Sequence, residues 1–374
     1  MRYQLRVVPA RTEAHGAGCR YQRAGNGRIA FVNAGAHDMD GLSYPAVRHQ
    51  ACGTIAALMG ISHYIKEIGR GVRGARPLTR EQAADLFGQV LDGTVTDLEI
   101  GAFCIAMRIK GETPAEMAGF VDATQTRLRK FPATTRPLVV LPSYNGARKL
   151  PVLTPLLALL LAREGLPVLV HGTATESTRV LASDVLAALG VTAASDVRTI
   201  GDGEVVFAPT ELLNAGLKRL LDVRRVVGLR NPAHSVVKLI QPGEGTCVVV
   251  ASYTHPEYAQ SMAATFDLLQ ATALLSRGLE GEVVSDPRRT AQVDGFVRGQ
   301  RIALQAQQPG TLGEVEGLPK EIDIDTTARY TRRVLAGELP LPEAITEQVR
   351  HIVRLAQLSQ SPAPGDVSSQ AQLS

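Results

Sequence analysis

The stretch LVVLPSYNGARK, residues 138–149, decides the fold of the chain. It begins with four apolar residues, two of them β-branched, which is typical of a buried strand, and a helix pattern follows over 153–163. A loop that leaves a buried strand for a helix lies where ligands bind. This loop holds one glycine, one tyrosine and two adjacent cations, Arg148 and Lys149. It therefore suits a polyanion better than a single phosphate cradled by backbone N–H groups.

Short β-branched runs alternate with helical periodicity after Pro137. Strands are predicted over 138–141, 168–170, 205–207, 247–251, 273–275 and 301–304. Helices are predicted over 153–163, 179–189, 210–222, 256–269, 327–337 and 341–358. This alternation indicates an α/β domain with a mostly parallel central sheet flanked by helices.

Three helix starts occur in succession before this region. Each is a capping box in which a threonine is followed three residues later by Glu or Gln, and the boxes begin at Thr79, Thr96 and Thr113. Pro114 occupies the first helical position of the last one. We therefore expect a small N-terminal all-helical domain over 59–130, followed by the α/β domain over 131–358.

The two ends of the chain lack a regular pattern. Residues 1–58 are rich in Gly, Ala and Arg and show no sustained period, so we expect a disordered extension, or an upstream start codon assigned in place of the true initiator Met59. Residues 359–374 form a Ser/Gln/Pro tail that we also expect to be disordered.

Composition excludes several classes of protein. No apolar run approaches 18 residues and the N-terminus has no apolar core of signal-peptide type, so we expect a cytoplasmic protein with no membrane partner. The four cysteines form no Cys-x-x-Cys pair, which argues against a zinc site and a disulfide framework. Cys104 and Cys247 are predicted to be core residues.

The net charge of +4 is by itself no argument for nucleic-acid binding, because residues 1–58 alone carry seven arginines against three acids. The remainder contains three basic clusters. In chain order they are Lys66, Arg70, Arg73, Arg76 and Arg80; Arg127, Arg129, Lys130, Arg136, Arg148, Lys149 and Arg163; and Lys218, Arg219, Arg224, Arg225, Arg230 and Lys238. Such clusters suit phosphate backbones, since each neutralised phosphate releases counterions. The alternative is a solvated surface offset by acids elsewhere.

Two further segments carry candidate site residues. His171 and Gly172 follow a strand, and the hydroxyl-rich segment 173–178 leads to Arg179 in the next predicted helix. This helix start could receive a phosphate, although capping by Ser177 or Thr178 explains the hydroxyls equally well. His171 has no neighbour at metal spacing and is interpreted as a hydrogen-bonding residue.

The paired carboxylates near a strand end are Glu280 and Glu282. Carboxylates at this spacing are weak candidates for magnesium ligands. A structural role is the favoured interpretation, with Arg288 and Arg289 as salt-bridge partners. Walker loops, Gly-x-Ser-x-Gly elbows and Gly-x-Gly-x-x-Gly fingerprints do not occur in the sequence.

Several motifs resemble those of anthranilate phosphoribosyltransferase and its nucleoside phosphorylase relatives in glycosyltransferase family 3. AMRIKGET at 106–113, followed by Glu116, resembles the Leu-Arg-Met-Lys-Gly-Glu-Thr segment of these enzymes. VHGT at 170–173 resembles their Lys-His-Gly-Asn, and VGLR at 227–230 resembles their Leu-Gly-x-Arg. The resemblance extends from 61 to about 358 and implies the same two-domain fold.

The departures from these enzymes concern the donor site. The enzymes hold phosphoribosyl diphosphate on Gly-Thr-Gly-Gly-Asp, where this chain has SYNGARK, and the Asp-Glu pair that binds their magnesium corresponds here to Glu280-Gly281-Glu282. Val170 stands where these enzymes have the lysine before His-Gly. The resemblance thus implies a remnant donor pocket formed by Ser143, Tyr144, Asn145, Gly146, His171, Gly172, Thr173 and Arg179.

Longer motifs resemble the YbiB-like branch of this fold: PSYNGARK at 142–149, IKEIGRG at 65–71, RIKGE at 108–112, HPEY at 255–258 and EGE at 280–282. This resemblance implies a homodimer joined through the helical domains, without transferase activity or cofactor, that binds DNA or RNA largely without sequence preference in basic grooves. The predicted phosphate contacts are Lys66, Arg70, Arg73, Arg76, Arg148, Lys149, Arg224, Arg225 and Arg230. Tyr144 is the aromatic residue beside these clusters, so base stacking is expected to be minor.

Two other functions remain open from the sequence. One is a glycosyl or phosphoribosyl transferase, with Arg148 and Lys149 on the phosphates of a ribosyl diphosphate, Glu280 and Glu282 on Mg²⁺, and Arg230 near the acceptor. The other is a sensor that binds an anionic metabolite in the old pocket without turnover.

Overall fold

The computed structural model of the chain describes residues 60–175 and 178–361. The predictions for 1–58 therefore lie outside the described residues, as does the part of the tail after Ser361. Among the described helices, none is long and apolar enough to cross a membrane.

The N-terminal part consists of helices. They are α1 (Ser62–Ile68), α2 (Arg80–Asp92), α3 (Asp97–Lys110) and α4 (Pro114–Gln125). Thr79, Thr96 and Thr113 each cap a helix, and each accepts a hydrogen bond from the backbone N–H three residues later, so the three predicted capping boxes are confirmed. Local sequence signals alone thus set the starts of α2, α3 and α4.

An aromatic cluster and one buried carboxylate hold these helices together. The rings of Phe87 and Phe120 stack with centroids 4.8 Å apart, and Phe103 lies edge-on to Phe120 at 6.0 Å. Glu116, which is fully buried, accepts hydrogen bonds from the backbone N–H of Leu78 at 2.9 Å and from Lys110 Nζ at 2.7 Å. The segment that resembles the transferases thus ties the end of α3 to the starts of α2 and α4.

The second part is an α/β domain. Its strands are β1 (Leu138–Ser143), β2 (Val168–Gly172), β3 (Val205–Pro209), β4 (Cys247–Tyr253), β5 (Ala273–Arg277), β6 (Val293–Val297) and β7 (Gln300–Gln305). Its helices are α5 (Thr154–Arg163), α6 (Ala182–Ala188), α7 (Thr210–Leu213), α8 (Ala215–Val227), α9 (Ala233–Val236), α10 (Pro256–Leu268), α11 (Ile324–Leu335) and α12 (Glu343–Gln360). The predicted α/β class is confirmed, with a helical N-terminal part and a mostly parallel sheet.

The sheet has the order β3-β2-β1-β4-β5-β6-β7, in which β6 pairs antiparallel with both β5 and β7, and the other pairings are parallel. β1 pairs with β2 on one side and with β4 on the other. The chain order therefore reverses between β1 and β4. In an open α/β sheet this switch point opens a crevice at the carboxyl ends of the strands, which is where ligands bind.

Three sequence predictions differ from the structure. The strand β6 was not predicted, because Asp294 and Gly295 interrupt its apolar pattern. The helix predicted over 210–222 is divided at Asn214, whose extended backbone and side chain cap α8 through a 2.7 Å bond from Leu217 N–H. The helix predicted from 179 begins at Ala182, so Thr178 does not cap it, and Ser177 lies outside the described residues.

Cys104 and Cys247 are buried in the apolar core, as predicted. Burial raises the pKa of the Cys104 thiol to about 12 and that of Cys247 to about 11. Both thiols therefore stay protonated near neutral pH and behave as packing residues.

Candidate functional site

The loop after β1 is filled by the carboxylate of Glu282, which reaches it from the turn after β5. This carboxylate accepts hydrogen bonds from the backbone N–H groups of Asn145 and Gly146 at 2.8 and 2.9 Å. It also accepts bonds from the hydroxyls of Ser143 and Thr154 at 2.5 and 2.8 Å. Glu282 is only 2% exposed. A buried carboxylate surrounded by four donors is fully satisfied without a metal ion or an ammonium partner.

Glu280 binds the outer part of the same loop. Its carboxylate accepts hydrogen bonds from the backbone N–H groups of Arg148 at 2.7 Å and Lys149 at 3.0 Å. Glu280 adopts a left-handed backbone conformation, with φ of 53°, that non-glycine residues rarely take. This conformation is sterically unfavourable for an L-residue, so the surrounding contacts must hold it.

The backbone between the two carboxylates is also bound. The carbonyl oxygen of Gly281 accepts hydrogen bonds from Asn145 Nδ2 at 2.5 Å, Ser252 Oγ at 3.1 Å and Lys238 Nζ at 3.3 Å. The segment 280–282 thus fastens the loop after β1 to β4 and to the chain after α9. We call this arrangement the carboxylate latch.

The predicted salt-bridge partners of the latch pair elsewhere. Arg288 Nη2 lies 2.8 Å from Asp286 Oδ2, and Arg289 Nε lies 3.2 Å from the same oxygen. The structural role predicted for the two carboxylates agrees with their hydrogen bonds to backbone N–H groups. The two arginines are not their salt-bridge partners, because both pair with Asp286. Within 60–175 and 178–361, no group of three or more His, Cys, Asp or Glu residues could hold a metal ion.

The remnant pocket residues at the ends of β1 and β2 form a buried polar chain. The hydroxyl of Tyr144 shares hydrogen bonds with His171 Nδ1 at 2.8 Å and with Thr210 Oγ1 at 3.0 Å. Burial lowers the pKa of His171 to about 3 and raises the pKa of Tyr144 well above its usual range. His171 is therefore a neutral hydrogen-bonding residue near pH 7, and Tyr144 has no exposed face for a ligand.

The segment after β2 covers the loop after β1. Thr175 Oγ1 donates to the Tyr144 carbonyl at 2.6 Å, and Arg179 Nη1 donates to the Asn145 carbonyl at 3.0 Å. Gly172 permits this close approach, because a Cβ there would lie 2.0 Å from the Ser143 carbonyl oxygen. Thr173 is half-buried between these contacts. The residues of the predicted pocket thus lie together and most of their polar groups bind one another, while His171 Nε2 has no hydrogen-bond partner among the described residues.

Cations of the second and third basic clusters meet around this closed loop. Arg148 and Lys149 are exposed, and their backbone N–H groups are held by Glu280. Arg230 Nη2 donates to Asn145 Oδ1 at 3.1 Å, and Arg225 Nη2 donates to the Ala174 carbonyl at 3.3 Å. Arg224 precedes Arg225 in the last turn of α8.

Arg225 also lies 3.5 Å from Asp222, and other members of the same clusters are paired with acids. Arg127 binds Asp92 at 2.7 Å and Arg129 binds Asp196 at 2.5 Å. Lys218 Nζ lies 2.5 Å from Asp222. These residues therefore belong to a surface on which acids balance the basic side chains. The cations that remain available to a polyanion are those around the loop after β1.

The first basic cluster lies on α1 and the turns after it. Lys66, Arg70, Arg73 and Arg76 are exposed, and Arg70 pairs with Glu67 at 2.6 Å. Between residues 60 and 361, apart from 176–177, no hydrogen bond or ion pair joins these four side chains to the loop after β1. They form a separate basic surface of the helical part.

A cleft of about 510 Å³ opens next to the closed loop, between the end of α3, α9 and the start of α10. Its lining contains the cations Arg108, Arg230 and Lys238 and the rings of His255 and Tyr258. Burial lowers the pKa of Lys238 to about 8, although the negative charge of Glu282 acts in the opposite direction. The sequence does not predict this cleft, because Tyr258 and Arg230 are far apart along the chain. The HPEY motif at 255–258 is the sequence signal for it.

Comparison with known proteins identifies the fold and the family. Residues 62–127 match the family model described as "Glycosyl transferase family, helical bundle domain". The protein YbiB of Escherichia coli (strain K12) is 41% identical over 293 residues, which cover 76% of this chain and 91% of YbiB. The chain belongs to the YbiB-like branch of glycosyltransferase family 3, and it shares the fold of anthranilate phosphoribosyltransferase.

Enzymes of the wider family are similar to this chain at lower identity. Anthranilate phosphoribosyltransferase of Methanopyrus kandleri is 28% identical over 289 residues, which cover 73% of this chain and 83% of that enzyme. Two solved structures share the fold. The enzyme from Thermus thermophilus has a TM-score of 0.59 at 21% identity, covering 78% of this chain and 88% of its own. The Saccharomyces cerevisiae enzyme in complex with PRPP and Mg has a TM-score of 0.58 at 14% identity, covering 80% and 89%.

Proposed function

We propose that this protein binds DNA or RNA through phosphate contacts, largely without sequence preference, as a homodimer that does not catalyse phosphoribosyl transfer. The observation that carries the proposal is the carboxylate latch. Glu280 and Glu282 occupy backbone N–H groups of Asn145, Gly146, Arg148 and Lys149, which are the donors that a phosphate in this loop would need.

The latch argues against the transferase alternative. Transfer from a ribosyl diphosphate requires donors placed closely around the leaving group. Here Glu282 accepts bonds from four donors and Glu280 from two, so each donor is already used by an internal anion. Magnesium binding through the same carboxylates would require these bonds to break. We therefore propose no metal or other cofactor.

The exposed cations support a polyanion that stays outside the loop. The side chains of Arg148 and Lys149 are exposed at the loop's outer edge, with Arg225 and Arg230 bound to neighbouring loop atoms. Phosphates of a nucleic-acid backbone can be neutralised by such side chains without a backbone cradle. The proposed contacts are Lys66, Arg70, Arg73, Arg76, Arg148, Lys149, Arg224, Arg225 and Arg230.

The proposed dimer rests on an apolar stripe along α3. Leu98 is 83% exposed, Ile109 is 57% exposed and Ile105 is 37% exposed. Their spacing of seven and four residues places them on one helix face. Since large apolar residues in a row are rarely left in water, we propose that a second copy of the chain covers this face through its own helical part.

A salt series tests the proposed function. Fluorescence anisotropy of a labelled oligonucleotide is measured with the full chain and with an Arg148→Ala/Lys149→Ala variant. We expect log affinity to fall with log salt by roughly 0.7 to 0.9 per neutralised phosphate, and the variant to bind more weakly with a slope shallower by about one to two. An Arg350→Ala/Arg354→Ala variant on α12 is the matched control and should bind like the wild type.

Equal affinity at low and high salt, or equal affinity of the loop variant and the wild type, would contradict the proposal. Calorimetry with a ribosyl diphosphate and Mg²⁺ then decides the alternative. Magnesium-dependent binding of that donor would favour a transferase.

A further inference from the structure

We infer that a small recess on the outer side of the carboxylate latch binds a phosphomonoester, namely the terminal phosphate of a nucleic-acid strand. The recess has a volume of about 290 Å³ and lies between the loop after β1 and the chain that follows β5. The inference rests on the proposed function, since it specifies which part of a strand is recognised there. It depends on the charge of the recess, on its unpaired cations and on its size.

The lining of the recess contains more cations than acids. Four basic and two acidic side chains contribute to it: Lys149, Arg277, Arg288, Arg289, Glu280 and Asp286. Their excess of two positive charges matches a phosphomonoester, which carries about −1.5 to −2 near pH 7. A phosphate in the interior of a strand carries a single negative charge. The charge of the recess therefore favours the end of a strand over its interior.

Two of these cations have no acidic partner. Among the residues that the structure describes, none forms a hydrogen bond or an ion pair with the Lys149 ammonium or the Arg277 guanidinium. Both side chains are exposed. The two acids are already bound, Glu280 by backbone N–H groups of the loop and Asp286 by the arginines that follow it. An anion that enters the recess thus meets cations that no internal acid neutralises.

The two paired arginines also retain donors. Arg288 binds Asp286 through Nε at 2.9 Å and Nη2 at 2.8 Å, and Arg289 Nε lies 3.2 Å from the same carboxylate. A guanidinium group has five N–H donors, so each arginine keeps terminal N–H groups for a second oxyanion. Asp286 therefore holds the two guanidinium groups in place beside the recess without using all of their donors.

The size of the recess suits the end of a chain. Its volume of about 290 Å³ is at the lower limit of small-ligand sites, so it holds a compact group. Its wall is a tight turn in which the Leu279 N–H donates to the Val284 carbonyl at 2.8 Å. A terminal phosphate carries one sugar and can enter end-on, whereas an internal phosphate brings a second sugar with it.

Lys149 connects the recess to the proposed backbone contacts. It lines the recess and follows Arg148 in the loop after β1. A strand whose phosphates contact Arg148 therefore presents its end to the recess at a high effective concentration. Inorganic phosphate has no such attachment and bears the whole cost of association, so we expect it to bind far more weakly.

Strands that differ only at one end test the inference. Fluorescence anisotropy is measured with the full chain and internally labelled oligo-dT that ends in hydroxyls, in a 5′-phosphate or in a 3′-phosphate. One phosphate-ended strand should bind about tenfold more tightly than the hydroxyl-ended strand, because it adds charge-assisted hydrogen bonds. Arg277→Gln should abolish this preference. Arg354→Gln removes an exposed cation of α12 outside the recess and should retain it.

The hydroxyl-ended strand separates the inference from the proposed function. Arg277→Gln should weaken its binding no more than Arg354→Gln does. Equal affinity of the three strands, or an equal preference in the wild type and Arg277→Gln, would overturn the terminal-phosphate site and leave backbone binding intact. Loss of the preference in inorganic phosphate at the concentration of the strand would also overturn it, since the recess would then serve the free ion. If no strand binds the wild type in low salt, the proposed function fails and the inference fails with it.

Discussion

The loop after β1 and the cleft beside it lie at the same edge of the sheet but differ in how their polar groups are satisfied. In the loop, the donors face the carboxylates of Glu280 and Glu282, and the residues between β1 and α5 are held on both sides. In the cleft, Arg108 and Tyr258 line an open volume. One sheet edge thus contains a site that the chain has filled with its own anion and a site that it has left open.

The difference shows that one edge of a sheet can hold a loop closed by an internal anion next to an open cleft. An internal carboxylate needs no association step, so it competes with an external phosphate at very high effective concentration. Side chains that point away from the latch are unaffected by this competition. The polyanion of the proposed function therefore has to approach the loop from outside.

The largest expected effect is at the filled site. Glu282→Ala should lower the free energy of unfolding by about 3 to 5 kcal/mol, because it leaves two buried N–H groups and two hydroxyls without their acceptor. Urea unfolding followed by circular dichroism measures this loss. Glu280→Ala is the matched control and should cost about 1 kcal/mol or less, since water can reach the N–H groups of Arg148 and Lys149.

A similar loss in both variants would mean that the two carboxylates are equivalent and that burial of Glu282 adds nothing. The comparison would be sharpened if inorganic phosphate restored part of the stability of Glu282→Ala and had no such effect on Glu280→Ala. A ligand that binds only the folded state stabilises it by mass action, so phosphate would then occupy the position of the lost carboxylate.

A smaller effect is expected from the buried polar chain behind the loop. Because burial lowers the pKa of His171 from 6.5 to about 3, the unfolded chain binds a proton between these values that the folded chain does not. The stability that this difference contributes is thus fully present above about pH 6.5 and is lost as the pH falls toward 3. The loss attributable to His171 between pH 7 and 5 is about 2 kcal/mol.

Urea midpoints at pH 7, 6 and 5 check this slope. His171→Gln retains hydrogen-bonding groups next to Tyr144 but does not titrate in this range. Its free energy of unfolding should therefore fall by about 2 kcal/mol less than that of the wild type between pH 7 and 5. Parallel profiles of the wild type and His171→Gln would show that His171 titrates normally and that the interior of the pocket is open to water.

The sequence predicts the helical part better than the edge of the sheet, for physical reasons. A capping box needs only residues three positions apart, so Thr79, Thr96 and Thr113 could be identified from the sequence. The latch joins Ser143 to Glu282, which are 139 positions apart, and no periodicity encodes that contact. The sequence motifs identify Glu280 and Glu282 as candidate site residues, but they do not identify the groups that donate hydrogen bonds to these carboxylates.

Tyr144 and Tyr258 illustrate the same limit. Tyr144 was predicted to be the aromatic residue beside the basic clusters, yet its hydroxyl is bonded to His171 and Thr210 and its ring is buried. Tyr258, which follows no basic run in the sequence, reaches the cleft because α10 begins at the end of β4. Burial decides which aromatic residue is available, and burial depends on the topology of the sheet.

The smallest expected effect concerns the charge of the open site. Glu112 lines the cleft, and burial raises the pKa of its carboxyl. Glu112→Gln removes a negative charge near Arg108 and Lys238, so oligo-dT should bind about two- to fivefold more tightly at neutral pH. As the pH falls, the wild-type carboxyl takes up its proton earlier than an ordinary glutamate, and the affinities of the two proteins should converge. Glu314→Gln, an exposed acid outside the cleft, should leave affinity unchanged. If Glu314→Gln strengthens binding as much as Glu112→Gln, net charge alone governs association, and the cleft has no special part in it.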